Sequence, residues 1–86
     1  MNKRRLHPDA PRIVLRRLVK AADMKQKDVA IAVGEREDTF SKILSGTEGY
    51  DLRTPLLVTV LATIDVDFVV FAEQVEKESA RLYATS

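Results

Sequence analysis

The chain has 86 residues, of which 45% are hydrophobic and 31% charged, a composition typical of one small globular domain. It has no cysteine and a single histidine, so it excludes a disulfide framework and offers no ligand set for a metal ion. The net charge is +1, but residues 1–45 carry eleven Lys and Arg against six Asp and Glu, whereas residues 46–86 carry three against seven. This asymmetry is typical of a basic half that contacts nucleic acid or a membrane, although a basic tail with solvated helix faces would also produce it.

Residues 1–8 form a basic segment that we expect to be a flexible N-terminal arm. No apolar run follows it, so no signal peptide is predicted, and no stretch approaches the roughly 20 apolar residues that span a bilayer. A first helix is predicted to start with Asp9 as the N-cap and Pro11 in its first turn, and to run to about Ala22.

Two short helices are predicted on either side of Gly34. The first covers about residues 26–33, and the second starts at residue 37 or 38 and ends at 45. Both carry apolar residues at helical spacing, and Gly34 and Gly46 are expected to end them with a positive φ. The apolar positions are Val29, Ala30 and Val33 in the first helix and Phe40, Ile43 and Leu44 in the second.

The C-terminal part is compatible with helices or strands. Residues 56–71 are rich in Val, Ile and Thr, which favours strands, but their only break contains no Gly or Pro of the kind that a hairpin normally has. We favour a helix from Pro55 to Thr63, with Thr54 as its cap, and a last helix that is capped by Asp67 and runs to about Leu82. The predicted fold is therefore all-α, with four to five short helices.

The spacing around the two glycines is similar to the helix-turn-helix of the Cro/CI (XRE) repressor family. That family's pattern runs roughly T-Q-x-x-[LV]-A-x-x-[LV]-G-x-x-x-x-x-[IF]-S-x-[IW]-x-x-G, and the stretch LATIDV at 61–66 resembles its later LA-x-x-L-G-V segment. Lys25 departs from the usual threonine and Leu44 from a usually polar residue. The residues that carry the resemblance are Lys25, Gln26, Val29, Ala30, Val33, Gly34, Phe40, Ser41, Ile43 and Gly46.

The resemblance covers about residues 12–75 and implies a lambda-repressor-like fold. It implies a DNA-binding domain at 9–66 and a C-terminal helix at 67–86 that joins two copies. The second helix of the motif would read bases in the major groove, with its N-terminal side chains at the base edges. The implied base-reading residues are Arg36, Glu37, Asp38, Thr39, Ser41 and Lys42.

The acidic pair within this set has two explanations. Glu37 or Asp38 could accept a hydrogen bond from cytosine N4, as Arg36 and Lys42 could donate to guanine O6 and N7. Acids in the first turn of a helix also complement its dipole, and Asp38 could itself be the cap. Both explanations stay open at the level of sequence.

The remaining implied contacts lie outside the reading helix. Phosphate contacts are expected from residues near the start of the first motif helix and from the loop after the second, and the basic arm could follow the duplex. The dimer contact is expected on the last helix. The sets are Lys25, Gln26, Lys27, Thr47, Tyr50 and Arg53 for the DNA backbone, Lys3, Arg4 and Arg5 for the arm, and Val69, Val70, Glu73, Val75 and Leu82 for dimerisation.

The expected function is a sequence-specific transcriptional regulator, a repressor in the first instance. It would bind a two-half-site operator in double-stranded DNA as a homodimer, in the cytoplasm or nucleoid of a bacterium or in a phage-infected cell. No catalytic constellation or phosphate-binding glycine loop occurs, so neither an enzyme nor a cofactor is predicted. An alternative function is a protein-interaction module, such as the antitoxin of a toxin–antitoxin pair. An alternative fold keeps the helix-turn-helix but makes residues 56–71 strands, whose edges would join a Cro-like dimer.

Overall fold

The computed structural model describes residues 6–85, and within this range it contains five α-helices and no strand. This confirms the all-α fold class. The strand alternative for residues 56–71 is wrong, because helices occupy both sides of the break at 64–67. The helices are α1 Ala10–Ala21, α2 Gln26–Ala32, α3 Glu37–Ser45, α4 Thr54–Thr63 and α5 Phe68–Thr85. The predicted arm residues Lys3, Arg4 and Arg5 lie outside the described residues.

The helix starts differ in detail from the predicted caps. Asp9 stands at the N-cap position of α1, but its side chain makes no capping hydrogen bond and its carboxylate lies 3.7 Å from the Arg12 guanidinium instead. Thr54 is the first residue of α4 rather than its cap, with Pro55 in the first turn as predicted. Asp38 is the second residue of α3, so it is not the cap of that helix.

The core lies around α1, which packs against α3 and α5, while α2 packs against α3 and α4. Val14, Leu15, Phe40 and Val60 are fully buried at its centre. Complete burial of a side chain of this size contributes about 1.5–3 kcal/mol, so these helices are held mainly by their shared apolar faces. Leu44 is also buried, which accounts for an apolar residue where the Cro/CI pattern usually has a polar one.

The chain bends sharply between α4 and α5. Asp65 adopts a left-handed conformation with φ of 59°, and the chain direction turns by 114° from α4 to α5. Within residues 6–85 no single helix is long and apolar enough to span a membrane. Only α4 and α5 taken together, as a sharply bent pair, have the length and composition of a span.

A polar joint fixes α5 against α1 and the segment before it. Glu78 of α5 is only 3% exposed and accepts hydrogen bonds from Arg17 of α1, at 2.9 Å, and from Arg81. The backbone N–H of His7 donates to Ser79 Oγ at 2.9 Å, and its ring lies 4.9 Å from that of Tyr83. The part of the predicted arm that the structure describes therefore includes a residue anchored to α5.

Candidate nucleic-acid interface

The connection between α2 and α3 is a tight turn centred on Gly34. The N–H of Glu35 donates to the carbonyl of Ala30 at 2.9 Å, and that of Gly34 donates to Ile31 at 3.1 Å. These two bonds form a Schellman motif, which needs a left-handed residue at its centre, and Gly34 has φ of 76°. Ala30 is fully buried, so α2 lies close to its neighbours at this point.

The same motif ends α3. Thr47 donates to Lys42 at 3.0 Å and Gly46 to Ile43 at 3.3 Å, with Gly46 at φ of 75°. The C-terminal end of each helix in the α2–turn–α3 unit is therefore fixed by backbone hydrogen bonds around glycine. The orientation of α3 depends on these turns and on its buried face.

That buried face leaves a polar face exposed. Phe40, Ile43 and Leu44 enter the core, and the residues one or two positions away on the helix point outward. The structure brings most of the predicted base-reading set onto this outer face. Arg36, Glu37, Asp38 and Lys42 are exposed, whereas Thr39 and Ser41 are half-buried at its edges.

Each of the two cations on this face has an intramolecular partner. Arg36 Nε lies 3.4 Å from Asp38 Oδ1, and both side chains are largely exposed. Exposed pairs of this kind contribute only about 0–1 kcal/mol, so Arg36 can exchange this contact for another acceptor. Lys42 Nζ lies 5.1 Å from the centre of the Tyr50 ring, in a cation–π arrangement that directs it toward the loop after α3.

The acids of the pair occupy the first turn of α3. Glu37 and Asp38 are its first two residues, where a negative charge complements the helix dipole. Together with Arg36 and Lys42 they leave the outer face of α3 without net charge. Any attraction to phosphate must therefore come from residues flanking α3.

The predicted phosphate contacts flank α3 in sequence and are accessible. Lys25 and Lys27 are exposed at the start of α2, with Gln26 half-buried between them. In the loop between α3 and α4, Tyr50 is half-buried, and the other two predicted residues, Thr47 and Arg53, are exposed.

Arg12, on the polar face of α1, is not among the predicted site residues, and it links α1 to the end of α3. A Cβ placed on Gly46 would collide with the guanidinium of Arg12, which occupies the space that a side chain would need. Arg12 and the loop after α3 together line a groove beside α3. Arg12, Arg16 and Lys20 follow i, i+4, i+8 spacing in a helix without acids, which predicts the basic face that they form opposite the apolar one.

The predicted dimerisation set divides in two. Val69 and Val70 are 69% and 42% exposed, and Glu73 is exposed. Val75 is only 5% exposed and Leu82 packs partly against the core. Val75 belongs to the core cluster together with Phe71, so little of its side chain is accessible in a single copy of the chain.

No family model matches the chain, and no match was found among curated proteins or among solved structures.

Proposed function

We propose that this protein is a sequence-specific DNA-binding regulator of transcription in which α3 is the reading helix. The observation that carries the proposal is the polar outer face of α3, which is presented by a helix with glycine-centred turns at both ends. A helix held in this way fits the major groove with its N-terminal side chains at the base edges.

Each exposed side chain of α3 has a chemically suitable target. Arg36 and Lys42 match guanine O6 and N7, and each good contact discriminates by about 1–3 kcal/mol. The carboxylate of Asp38, close to the guanidinium of Arg36, matches cytosine N4. An arginine and an aspartate held together in this way favour a short site in which guanine and cytosine are neighbours.

The proposed active form is a homodimer. A helix of nine residues contacts only a few base pairs, and two copies related by a two-fold axis read a longer operator with half-sites about one helical turn apart. The exposed valines at the start of α5 are suited to such a contact, Val70 in particular. Repression by blocking polymerase or a competing factor is the simplest consequence.

Selection from a randomised duplex library, followed by titration of the enriched site, tests the proposal. We expect a two-fold symmetric site whose affinity falls about 5- to 150-fold in Arg36→Ala and in Lys42→Ala, with relaxed preference at one position each. Lys77→Ala is the matched control, because Lys77 is an exposed cation on α5. Absence of any enriched sequence at low salt would refute the proposal.

A further inference from the structure

The outer side of α1 carries a row of cations that no acid in the helix balances. α1 contains four Lys and Arg among its 12 residues and neither Asp nor Glu. Three of them, Arg12, Arg16 and Lys20, repeat at i, i+4 and i+8, so they lie on one side of the helix about 6 Å apart along its axis. They border a shallow concavity of about 320 Å³, which within residues 6–85 is lined by α1 alone and by no acidic residue.

Two of these cations are available to a partner. Arg17, the fourth cation of α1, binds the buried carboxylate of Glu78 at 2.9 Å, and Arg12 is held near the end of α3 as described above. Arg16 and Lys20 are exposed, and neither forms an ion pair or a side-chain hydrogen bond within the part of the chain that the structure describes. The charge that the row offers to a partner is therefore that of Arg16 and Lys20.

The row is unfavourable for the helix in isolation. Like charges at i and i+4 repel each other across one turn, and the row contains two such pairs, Arg12 with Arg16 and Arg16 with Lys20. Arg12 also stands in the first turn, where a cation opposes the helix dipole. A sequence that breaks local rules of this kind without a structural gain does so mainly at functional sites. A polyanion bound along the row would offset the repulsion.

The two ends of the row indicate which polyanion it binds. Arg12, at one end, lies beside Gly46 at the end of α3 and lines the same groove as Tyr50, one of the proposed phosphate contacts. Lys20, at the other end, is separated from the start of α2 and its proposed phosphate contacts only by the short connection at 22–25. The row therefore runs from one group of proposed phosphate contacts toward the other, on a helix that packs directly against α3.

Other anionic partners fit the row less well. An amphipathic helix binds a lipid surface through an exposed apolar face, whereas apolar residues of α1 such as Val14 and Leu15 are fully buried in the core. A small anion is bound by polar groups that converge on it in a pocket, but Arg16 and Lys20 are spread along the helix axis and no residue that lines the concavity is buried. An extended array of phosphates matches this arrangement.

We propose that Arg16 and Lys20 bind phosphates of the same DNA duplex whose bases α3 reads. This inference rests on the DNA-binding function proposed above and adds a third helix to the interface. Phosphate contacts position a protein on the duplex and carry no sequence information. Because α1 packs against α3, contacts made by α1 would help to hold the reading helix in the groove. Two further contacts in each copy of a homodimer add about −4 to the slope of log K against log[salt].

Salt titration of the full-length protein with the selected duplex and with an unrelated duplex tests the contact. Arg16→Ala and Lys20→Ala should each weaken binding of both duplexes alike and reduce the slope by about 1 per subunit. Lys77→Ala removes the same charge from an exposed position on α5 and should change neither quantity. Helical circular dichroism should be unchanged, since all three side chains are exposed. Equal effects of all three variants, or no effect of the first two, would overturn the proposal.

The absence of cysteine from the chain allows α1 to be placed on the duplex directly. Lys20→Cys and Lys77→Cys each introduce a single thiol at an exposed position, to which an iron–EDTA group that cleaves the DNA backbone is attached. In the complex with the selected duplex, we expect the group at residue 20 to cleave the backbone and the group at residue 77 to leave it intact. Equal cleavage from both positions, or cleavage from neither, would overturn the proposal.

The outcomes separate this contact from base reading by α3. If a site is enriched and Arg16→Ala and Lys20→Ala bind it like the wild-type protein, the contact is overturned and the proposed function stands. If no site is enriched, the proposed function fails, and a loss of unspecific duplex binding in these two variants alone would still support the contact. If RNA of the same sequence binds more tightly than the duplex and these variants abolish that preference, the partner is RNA and the proposal is overturned.

Discussion

Gly34 and Gly46 share a left-handed backbone but differ in what stands where a side chain would be. A Cβ on Gly34 meets nothing within 4 Å, whereas one on Gly46 collides with the guanidinium of Arg12. The first glycine is therefore needed for its φ alone. The second is needed for its φ, and its missing side chain also leaves room for the flexible Arg12 guanidinium.

This difference predicts unequal costs for the same substitution. Gly34→Ala should lower the free energy of unfolding by about 1–2 kcal/mol, the cost of a left-handed alanine. Gly46→Ala should cost up to about 1 kcal/mol more, because the flexible Arg12 side chain must also move away and lose its partly exposed contact with Asp9. Urea denaturation of both variants measures the difference.

Arg12→Ala provides the control for this comparison. It should remove the extra cost of Gly46→Ala and leave the cost of Gly34→Ala unchanged, since only Gly46 contacts Arg12. A double-mutant cycle that shows no coupling between residues 12 and 46 would contradict the interpretation.

The left-handed positions also show how far the sequence reveals local structure. Gly34 and Gly46 are predicted to end their helices because glycine adopts a positive φ without strain. α4 ends in the same way, with Val66 donating to Leu61 and Asp65 to Ala62, but the left-handed residue is Asp65. Aspartate tolerates this conformation less well than glycine and is common in ordinary turns, so the sequence predicts a turn there but not its geometry.

At the scale of helices, the joint between α1 and α5 depends on Glu78. Hydrogen bonds from Arg81 and then from Arg17 lower the pKa of its carboxyl group, although burial acts in the opposite direction. The folded state therefore binds fewer protons at this site than the unfolded chain, and the joint is most stabilising when Glu78 is ionised. Both arginines remain partly exposed, which limits the gain.

The expected pH dependence has a defined sign. The contribution of Glu78 should be complete above the carboxyl group's ordinary pKa of about 4.3 and should be lost as pH falls through that value toward the lower folded pKa. Glu78→Gln should lower the free energy of unfolding at pH 7 by about 1–2 kcal/mol, and this difference from the wild-type protein should shrink at pH 3. Denaturation across this pH range measures both.

Arg17→Ala tests whether the effect comes from the joint. Arg17 lies on α1, 61 residues from Glu78 in sequence. Its replacement by alanine should reproduce part of the pH-dependent loss in the free energy of unfolding. In the double variant Arg17→Ala/Glu78→Gln the losses should be less than additive. A difference between wild type and Glu78→Gln that is constant from pH 3 to pH 7 would show that the carboxylate's charge is not what stabilises the joint.

The contact between α1 and α5 explains why the sequence predicts the helix α5 but not which of its faces is buried. The helix itself follows from its apolar spacing, but its 18 residues carry apolar side chains on more than one face. α5 packs against α1, and on it Val75 and Glu78 are buried while Val69 and Phe68 are exposed. A long-range contact such as that of Arg17 with Glu78 has no local signal, so the sequence does not indicate that Glu78 is buried.

At the scale of the whole molecule, the fold shows which helices carry the charges of the basic and acidic halves of the sequence. The cations of residues 6–45 lie on α1, at the start of α2 and on or just before α3, whereas α5 carries three acids and two cations. Since the outer face of α3 carries no net charge, we propose that its side chains read bases while the cations flanking it attract DNA. Sequence composition predicts the charge asymmetry, but only the fold shows where on the molecule the charges lie.

This division predicts how DNA binding depends on salt. Each copy has three accessible cations among the phosphate contacts that the sequence predicts, namely Lys25, Lys27 and Arg53. The proposed homodimer would therefore make six phosphate contacts through them, and they should contribute about −5 to the slope of log K against log[salt]. Lys25→Ala and Lys27→Ala should each reduce the slope by about 1 per subunit and weaken all sequences alike. Arg36→Ala should instead change sequence preference more than the slope, because its proposed partner is a base.

Titration of the selected duplex between 50 and 300 mM salt distinguishes the two kinds of residue. Lys77→Ala removes an exposed cation from α5 and should leave the slope unchanged, so it controls for net charge. If Lys25→Ala, Lys27→Ala and Lys77→Ala all shift the slope equally, the attraction comes from overall charge and α2 does not lie against the phosphates. If only the first two shift it, the start of α2 contacts the backbone and α3 is placed in the groove beside it, since the turn at Gly34 fixes one helix relative to the other.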